Sequence, residues 1–233
     1  MAEIPYSTAL IVGAGPGISA SLARALRSAG VEVGLAARNV GKLTPLAAEI
    51  GAATFAADAA DPDAVEQLFD AAEAKIGTPD LVVYNPSARV RGRIVDIDAL
   101  EVRRAMEVSA FGGFLVVQQA ARRMVPKQHG AILLTGATAS VKGFALSSAF
   151  AMGKFALRGL AQSAARELGP QGIHVVHFVI DGGVRSAIRP DPADSPDSTL
   201  DPDGVAESYL AALRQPRSDW SWEIELRPWV ERF

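Results

Sequence analysis

The sequence predicts one α/β domain: a doubly wound parallel sheet of about seven strands with helices on both faces. Three observations predict it. Short apolar runs of β character alternate with longer alanine-rich stretches of helical period, which is the mark of βαβ units whose sheet is covered on both sides. The first such run ends in a glycine-rich turn that opens directly into a helical pattern. A chain of 233 residues, 49% of them hydrophobic and 21% charged, can bury one large core and is not the composition of a disordered protein.

Taken in order, the strands are expected at Ala9 to Val12, Val31 to Ala36, Ala53 to Ala57, Leu81 to Tyr84, Ala131 to Thr135 and His174 to Ile180. A seventh, at a sheet edge, is expected near the end, where Trp220, Trp222, Ile224 and Leu226 alternate with Ser221, Glu223, Glu225 and Arg227. Helical periodicity occupies Ile18 to Ala29, Lys42 to Ile50, Pro62 to Ile76, Leu100 to Met124, Ser147 to Leu168 and Pro202 to Leu213. Asp61 before Pro62 and Asp201 before Pro202 read as N-caps with proline in the first turn. Residues 1–233 thus form a single domain, and the proline-, aspartate- and serine-rich stretch at 185–200 is a lid candidate within it, or no more than a solvated loop.

Composition excludes several classes of function. Twenty-three basic against 26 acidic side chains leave a net charge of -3, with no excess cation for a phosphate backbone, so nucleic acid is not an expected partner. Without cysteine there are no disulfides, thiolate metal sites or thiol nucleophiles, and His129, His174 and His177 leave little for a metal, so none is expected. The most apolar stretch, Ser109 to Ala121, carries Gln118 and Gln119 between Glu107 and Arg122, so no membrane association is expected. Glu3 and Pro5 stand where a signal peptide would be basic, and a cytoplasmic location follows by default.

The turn after the first strand reads Val12-Gly13-Ala14-Gly15-Pro16-Gly17-Ile18. Glycines there let backbone amides approach a pyrophosphate, and the helix N-terminus favours the anion, so a dinucleotide is the natural ligand. The second strand ends Ala36-Ala37-Arg38, with no carboxylate to accept from a ribose 2′-hydroxyl. NADP is therefore expected over NAD, its 2′-phosphate met by Arg38, with Lys42 one turn on.

The spacing is G-x-x-x-G-I, from Gly13 to Gly17 and Ile18, not the G-x-G-x-x-G of other dinucleotide-binding folds. With it come Asp58 after the third strand, Asn85 within Tyr84-Asn85-Pro86-Ser87 after the fourth, Lys154 on the long helix and Asp181-Gly182-Gly183-Val184-Arg185-Ser186 after the sixth. Together these resemble the short-chain dehydrogenase/reductase family, a Rossmann-fold group that uses NAD or NADP, over essentially the whole chain. The ending Arg227-Pro228-Trp229-Val230 is similar to that of an atypical bacterial branch. The resemblance implies that Asp58 hydrogen-bonds adenine, that Lys154 holds the nicotinamide ribose, and that Gly182 and Val184 meet the nicotinamide amide, with Gly15, Pro16 and Asn85 also in the cofactor site.

The resemblance also implies a reaction site that has lost its usual acid. Four residues before Lys154, where the family places tyrosine, stands Phe150; thirteen residues before that, where it places serine, stands Ala137; and Ser109 replaces the asparagine that supports a proton relay. A phenyl ring neither donates nor accepts, so Phe150 cannot act as general acid or base. Phe150, Ala137 and Ser87 become substrate-pocket walls. Candidates to supply the proton are Asp181 first and Thr138 second, with Ser140, Ser147, Ser148 and Tyr84 nearby. Asp181 beside a nicotinamide could exchange a proton near neutrality, or could only orient backbone amides.

Arg89, Arg91 and Arg93 alternate and would project to one side of an extended segment, as an acid-binding cluster, a subunit salt-bridge face or solvated surface. His174 and His177 lie in an apolar strand and are not a metal pair. Two functions follow. One is an NADP-dependent oxidoreductase acting by hydride transfer on a small carbonyl or conjugated substrate, with a non-standard proton donor. The other is a catalytically degenerate dinucleotide-binding protein, a sensor or structural subunit. A homodimer or homotetramer is expected, because Phe111, Phe114, Phe155 and Leu157 exceed what one sheet contact needs.

Overall fold

In the computed structural model, residues 3–186 and 189–231 are described. At the centre, β1 (Thr8–Val12) is buried at every position, and its alternating side chains feed two apolar layers: Leu10 and Val12 on one face, Ala9 and Ile11 on the other. A strand buried on both faces must be apolar throughout, which is why this one reads as a continuous run. The other strands are β2 (Glu32–Ala37), β3 (Ala53–Ala56), β4 (Leu81–Tyr84), β5 (Gly130–Thr135), β6 (Ile173–Ile180), the short β7 (Gly183–Val184) and β8 (Thr199–Leu200), and β9 (Glu223–Leu226). Seven of them form one sheet in the order β3-β2-β1-β4-β5-β6-β9, all pairings parallel, while β7 and β8 pair separately. The edge strand β9 is shorter than the tryptophan alternation suggested; Trp220 lies before it, stacked on His174 with ring centroids 4.6 Å apart.

The helices are α1 (Ile18–Ser28), α2 (Thr44–Ile50), α3 (Pro62–Ile76), α4 (Ala99–Met106), α5 (Gly112–Met124), α6 (Ser148–Leu168) and α7 (Pro202–Leu213). Leu22, Leu26, Leu46 and Tyr209 of α1, α2 and α7 fill one layer; Leu68, Phe69, Val116 and Leu157 of α3, α5 and α6 fill the other. Asp61 accepts from the Asp63 and Ala64 amides at 2.9 and 3.1 Å, and Asp201 from Asp203 at 3.1 Å, so both capping assignments hold. Asp98 caps α4 in the same way, 2.7 Å from the Leu100 amide.

The long helix expected over Leu100 to Met124 is broken by a π-helical turn, Glu107–Phe111, between α4 and α5. Hydrophobic period does not reveal a one-residue bulge, and such bulges gather at functional sites. Two contacts hold it: the Tyr84 hydroxyl donates to the Val108 carbonyl, and Gly112 lets the backbone approach β3's exit, where a Cβ would lie 2.4 Å from the Ala59 carbonyl oxygen.

Chain order reverses beside β1, whose neighbours β2 and β4 are reached by connections running in opposite directions. Ligands of open α/β sheets bind in the crevice at such a switch point, beyond the carboxyl ends of the strands. Within the segment 185–200, several described residues are hydrogen-bonded to one another. The Arg185 amide donates to Leu200 at 2.8 Å, and the Asp191 carboxylate accepts from the Asp197 amide at 2.7 Å and the Thr199 amide at 3.2 Å. Ala187 and Ile188 of this lid candidate lie outside the described residues.

Candidate cofactor cleft and reaction site

The glycine turn is shaped by two left-handed residues, Gly13 at φ +76° and Gly17 at φ +88°, conformations that side chains with a Cβ rarely adopt. At Gly13 a Cβ would also lie 2.6 Å from the Pro86 ring, so the turn packs directly on the segment after β4. Asn85 ties the two together: its side-chain amide donates to the Ser19 hydroxyl at 2.7 Å and to the Gly13 carbonyl at 3.4 Å. Gly17 caps α1 without any side-chain acceptor, and a Cβ there would meet nothing within 4 Å. Open space before unsatisfied helix N–H groups is a cradle that fits the pyrophosphate of a dinucleotide.

On one side of the cradle is a cavity of about 340 Å³ lined by Gly13, Ala14, Arg38, Asp58, Asn85 and Ser87, among others. Arg38 and Asp58 are exposed at its rim, and the Asp58 carboxylate accepts from the Ala60 amide at 3.0 Å. Lys42, the expected second phosphate ligand, does not line this cavity.

On the other side, a cavity of about 450 Å³ brings together Pro16, Gly17, Ile18, Asn85, Ser87, Ala137, Phe150, Lys154, Gly182 and Val184, along with Thr135, Arg89, Arg185 and Arg189. Phe150 and Lys154, one helical turn apart on α6, face it together, as i and i+4 positions do. Lys154 is 2% exposed; its Nζ donates to the Thr135 carbonyl at 2.7 Å and the Pro86 carbonyl at 3.4 Å. Burial first, then the Arg89 charge, pushes its pKa down to about 7. The Arg89 guanidinium sits over the Phe150 ring, 4.5 Å from its centre. Beyond them opens a smaller cavity of about 190 Å³, whose lining includes Arg91, Ala137, Thr138, Phe144, Ser147 and Phe150.

Several expected participants are turned elsewhere. Asp181 lines neither cavity: its amide donates to Leu226 at 2.8 Å and its carboxylate lies 3.5 Å from Arg227. Tyr84 is wholly buried with its hydroxyl donating to Val108, and burial, then Asp58, raises its pKa beyond the useful range. Ser140 is also buried and accepts from the Ala137 amide at 3.1 Å. Ser109, in the π turn, accepts from the Ala88 amide at 3.3 Å and packs so closely on α6 that a Cβ at Gly153 would lie 2.6 Å from its own Cβ. Arg93 leaves the cleft and pairs with Asp96 at 3.6 Å. Thr138 does line the smaller cavity.

The two strand histidines are structural. His177 Nδ1 lies 3.0 Å from Glu223, which also takes a two-pronged pair from Arg158 at 2.6 and 2.7 Å, and burial lowers the His177 pKa to about 4 against the pull of Glu223. His174 Nε2 lies 3.0 Å from the Ser221 carbonyl. Among the described residues no group of three or more His, Asp or Glu side chains is placed to hold a metal, and no helix is long and apolar enough to cross a membrane. Leu157, expected on a subunit face, is buried in the core against Gly113.

Sequence reasoning missed Ser19 and Arg189. Ser19 had a signal, as one of two serines, with Ser21, among the buried residues of α1. Arg189 had none, because it reaches the cavity from an irregular segment.

A dinucleotide cradle at the switch point of a parallel sheet, with a helix lysine on the cleft floor, defines a Rossmann-type nicotinamide-dependent oxidoreductase scaffold. Comparison with known proteins gives the family. Residues 7–194 match the short chain dehydrogenase family, and the chain belongs to it. An uncharacterized oxidoreductase of Staphylococcus aureus is 28% identical, with 98% of this chain and all of the relative covered. A short-chain dehydrogenase/reductase of Armillaria gallica is 34% identical over 73% of this chain and 68% of its own. Among solved structures, a short-chain dehydrogenase from Rhodopseudomonas palustris superposes with a TM-score of 0.83 at 35% identity, over 96% of this chain and 99% of that one. A metagenomic short-chain oxidoreductase solved in complex with NADP gives 0.82 at 26% identity, over 95% and 97%.

Proposed function

We propose that the protein is an NADP-dependent oxidoreductase that exchanges hydride with a small carbonyl compound or an activated carbon–carbon double bond, using a proton donor other than the family's tyrosine. The observation that carries this is the shared cavity of Lys154, Phe150 and Ala137: the lysine is held at the floor by the Thr135 and Pro86 carbonyls, while its two neighbours offer no hydroxyl. The family relative solved with NADP supports the choice of cofactor. The glycine turn, Gly13 to Ile18 with Gly15 and Pro16 between, would hold the pyrophosphate, Arg38 the 2′-phosphate and Asp58 the adenine. Asn85 and Lys154 would hold the nicotinamide ribose, and Gly182 and Val184 the carboxamide. When bound, the nicotinamide supplies or accepts the hydride; the remaining work belongs to the chain.

Phe150 and Ala137 wall the pocket and exclude water. The proton is assigned to Thr138, a water beside it or solvent, ahead of Asp181, whose carboxylate lies 3.5 Å from Arg227. Loss of a positioned acid costs about 10²- to 10⁴-fold in rate, which an intrinsically electrophilic substrate such as an enone or quinone tolerates better than a simple ketone. Segment 185–200 acts as the substrate lid in this scheme, supported by Arg185, Ser186 and Arg189 lining the cavity. Exposed Phe111, Phe114 and Phe155 along the π turn, α5 and α6 support a dimer or tetramer, for which light scattering should report at least twice the monomer mass.

The test is oxidation of NADPH in the presence of a panel of enones, quinones and ketones. Stoichiometric turnover of an activated substrate supports the proposal. Tight NADPH binding without any turnover would favour the second reading, a dinucleotide-binding protein that has shed its chemistry, for which the missing hydroxyls at positions 137 and 150 are the motive.

A further inference from the structure

The two reaction-end cavities carry a charge that hydride exchange alone does not call for. Their lining includes Arg89, Arg91, Arg185, Arg189 and Lys154 and, among the described residues, no aspartate or glutamate. Arg185 is neutralised by Asp201 at 2.6 Å, and Lys154 is taken up by two backbone carbonyls. Arg89 is different. It lines both cavities, its Cζ 4.5 Å from the centre of the Phe150 ring; burial first, then Arg189 and Arg91, act against its charge, and among the described residues no carboxylate pairs with it. Contact with the ring holds the guanidinium in place, and its N–H groups can meet a planar acceptor.

The phosphates of a dinucleotide do not account for the charge at the smaller cavity. The cradle residues Pro16, Gly17 and Ile18 share the larger cavity with Arg185 and Arg189, and Arg38 lines the adenine-side cavity, whereas the smaller cavity, lined by Arg89 and Arg91 together with Ala137, Thr138, Phe144 and Ser147, includes no residue of the glycine turn. Like charges gathered in a cleft raise the local concentration of an anion and are relieved by binding one.

We propose that the substrate carries a carboxylate, held by Arg89 with Arg91 beside it, and that the phenyl faces of Phe150 and Phe144 pack on the apolar part of the same molecule. This rests on the oxidoreductase reading above and adds the substrate class to it. Phe150 then has a task besides walling the pocket: its ring holds the guanidinium in place. The carboxylate fixes the orientation of the reacting carbon toward the cofactor side of the pocket, and its pairing with Arg89 lowers the repulsion that the three arginines exert on one another.

The experiment uses phenylglyoxylate and its uncharged methyl ester, two probes that share the ring and the ketone. Each is titrated calorimetrically, at fixed ionic strength, into the protein alone and into the protein saturated with NADP. The acid should bind about 10-fold or more tightly than the ester, the yield of one charge-assisted pair. Arg89→Ala should erase that ratio, Arg89→Lys should keep part of it, and Arg91→Ala should reduce it by a smaller factor. Circular dichroism of each variant separates loss of the ratio from loss of the fold, and Arg91→Ala, at an exposed position, keeps the test open should Arg89→Ala unfold. Equal affinities for acid and ester in the unaltered protein, or a ratio that survives Arg89→Ala in a folded variant, would overturn the proposal. Failure to bind NADP would instead defeat the oxidoreductase reading, and the titrations without cofactor would still decide the carboxylate question.

Discussion

The two ends of the cleft are built on opposite terms. At the cradle end, shape is set by backbone: two left-handed glycines, a proline ring against one of them, and an asparagine that ties the turn to the segment after β4. At the reaction end, shape is set by side chains: the Phe150 ring and the Ala137 methyl group line the cavity beside the buried Lys154. Under the proposed function, the backbone of the cradle serves the cofactor and the side chains of the reaction end serve the substrate. Binding and proton transfer should therefore respond to different substitutions.

The largest effect is expected at the cradle. Gly13→Val forces a β-branched residue into φ +76° and into the Pro86 ring, with a backbone penalty alone of about 1–3 kcal/mol. Both thermal stability and NADPH affinity should fall together, as calorimetry and fluorescence titration will read; a variant with native affinity would detach the turn from cofactor binding. Next comes Arg38→Ala, which removes one charged contact to a 2′-phosphate and should cost about 10-fold in NADPH affinity while leaving NADH unchanged. Equal affinities for the two cofactors in the unaltered protein would remove the basis for assigning NADP.

A smaller and slower effect sharpens the other half of the comparison. Lys154 has a folded pKa of about 7 against an ordinary 10.5, so between these values the unfolded chain binds the extra proton. Stability of the cofactor-free protein should rise with pH across that window, and the penalty of burying the charge should be complete below about pH 7. Lys154→Met should flatten the slope measured by urea denaturation from pH 7 to 10. A slope unchanged by the substitution would mean that another group titrates there. The smallest change is a control far from the cleft: Asp61→Ala removes the cap of α3 and should cost about 1 kcal/mol with NADPH affinity unchanged.

Much of this was legible in the residues. The order of strands and helices followed from apolar period, two caps from an aspartate before a proline, and the joint facing of Phe150 and Lys154 from the helix repeat. What escaped were directions and long-range partners. Asp181 and Tyr84 both end or follow strands at the crevice, but one is drawn to Arg227 on the tail and the other into the π turn, neither of which local pattern can foresee. Ser140 looked like a spare hydroxyl and is committed to the Ala137 amide. Arg89 was one of three alternating arginines; only packing on Phe150 distinguished it from Arg93, which turns to Asp96.

The central claim is that the reaction end has kept its cofactor lysine while losing its acid, and one measurement tests it most directly. NADPH-dependent reduction of simple ketones is followed in the unaltered protein and in the double variant Phe150→Tyr with Ala137→Ser, which restores a hydroxyl one turn before Lys154 and a second beside it. The account predicts background turnover in the first and a gain of about 10²-fold or more in the second. Rapid ketone reduction by the unaltered protein would contradict it, because the proton would then come from a group to which Phe150 is irrelevant.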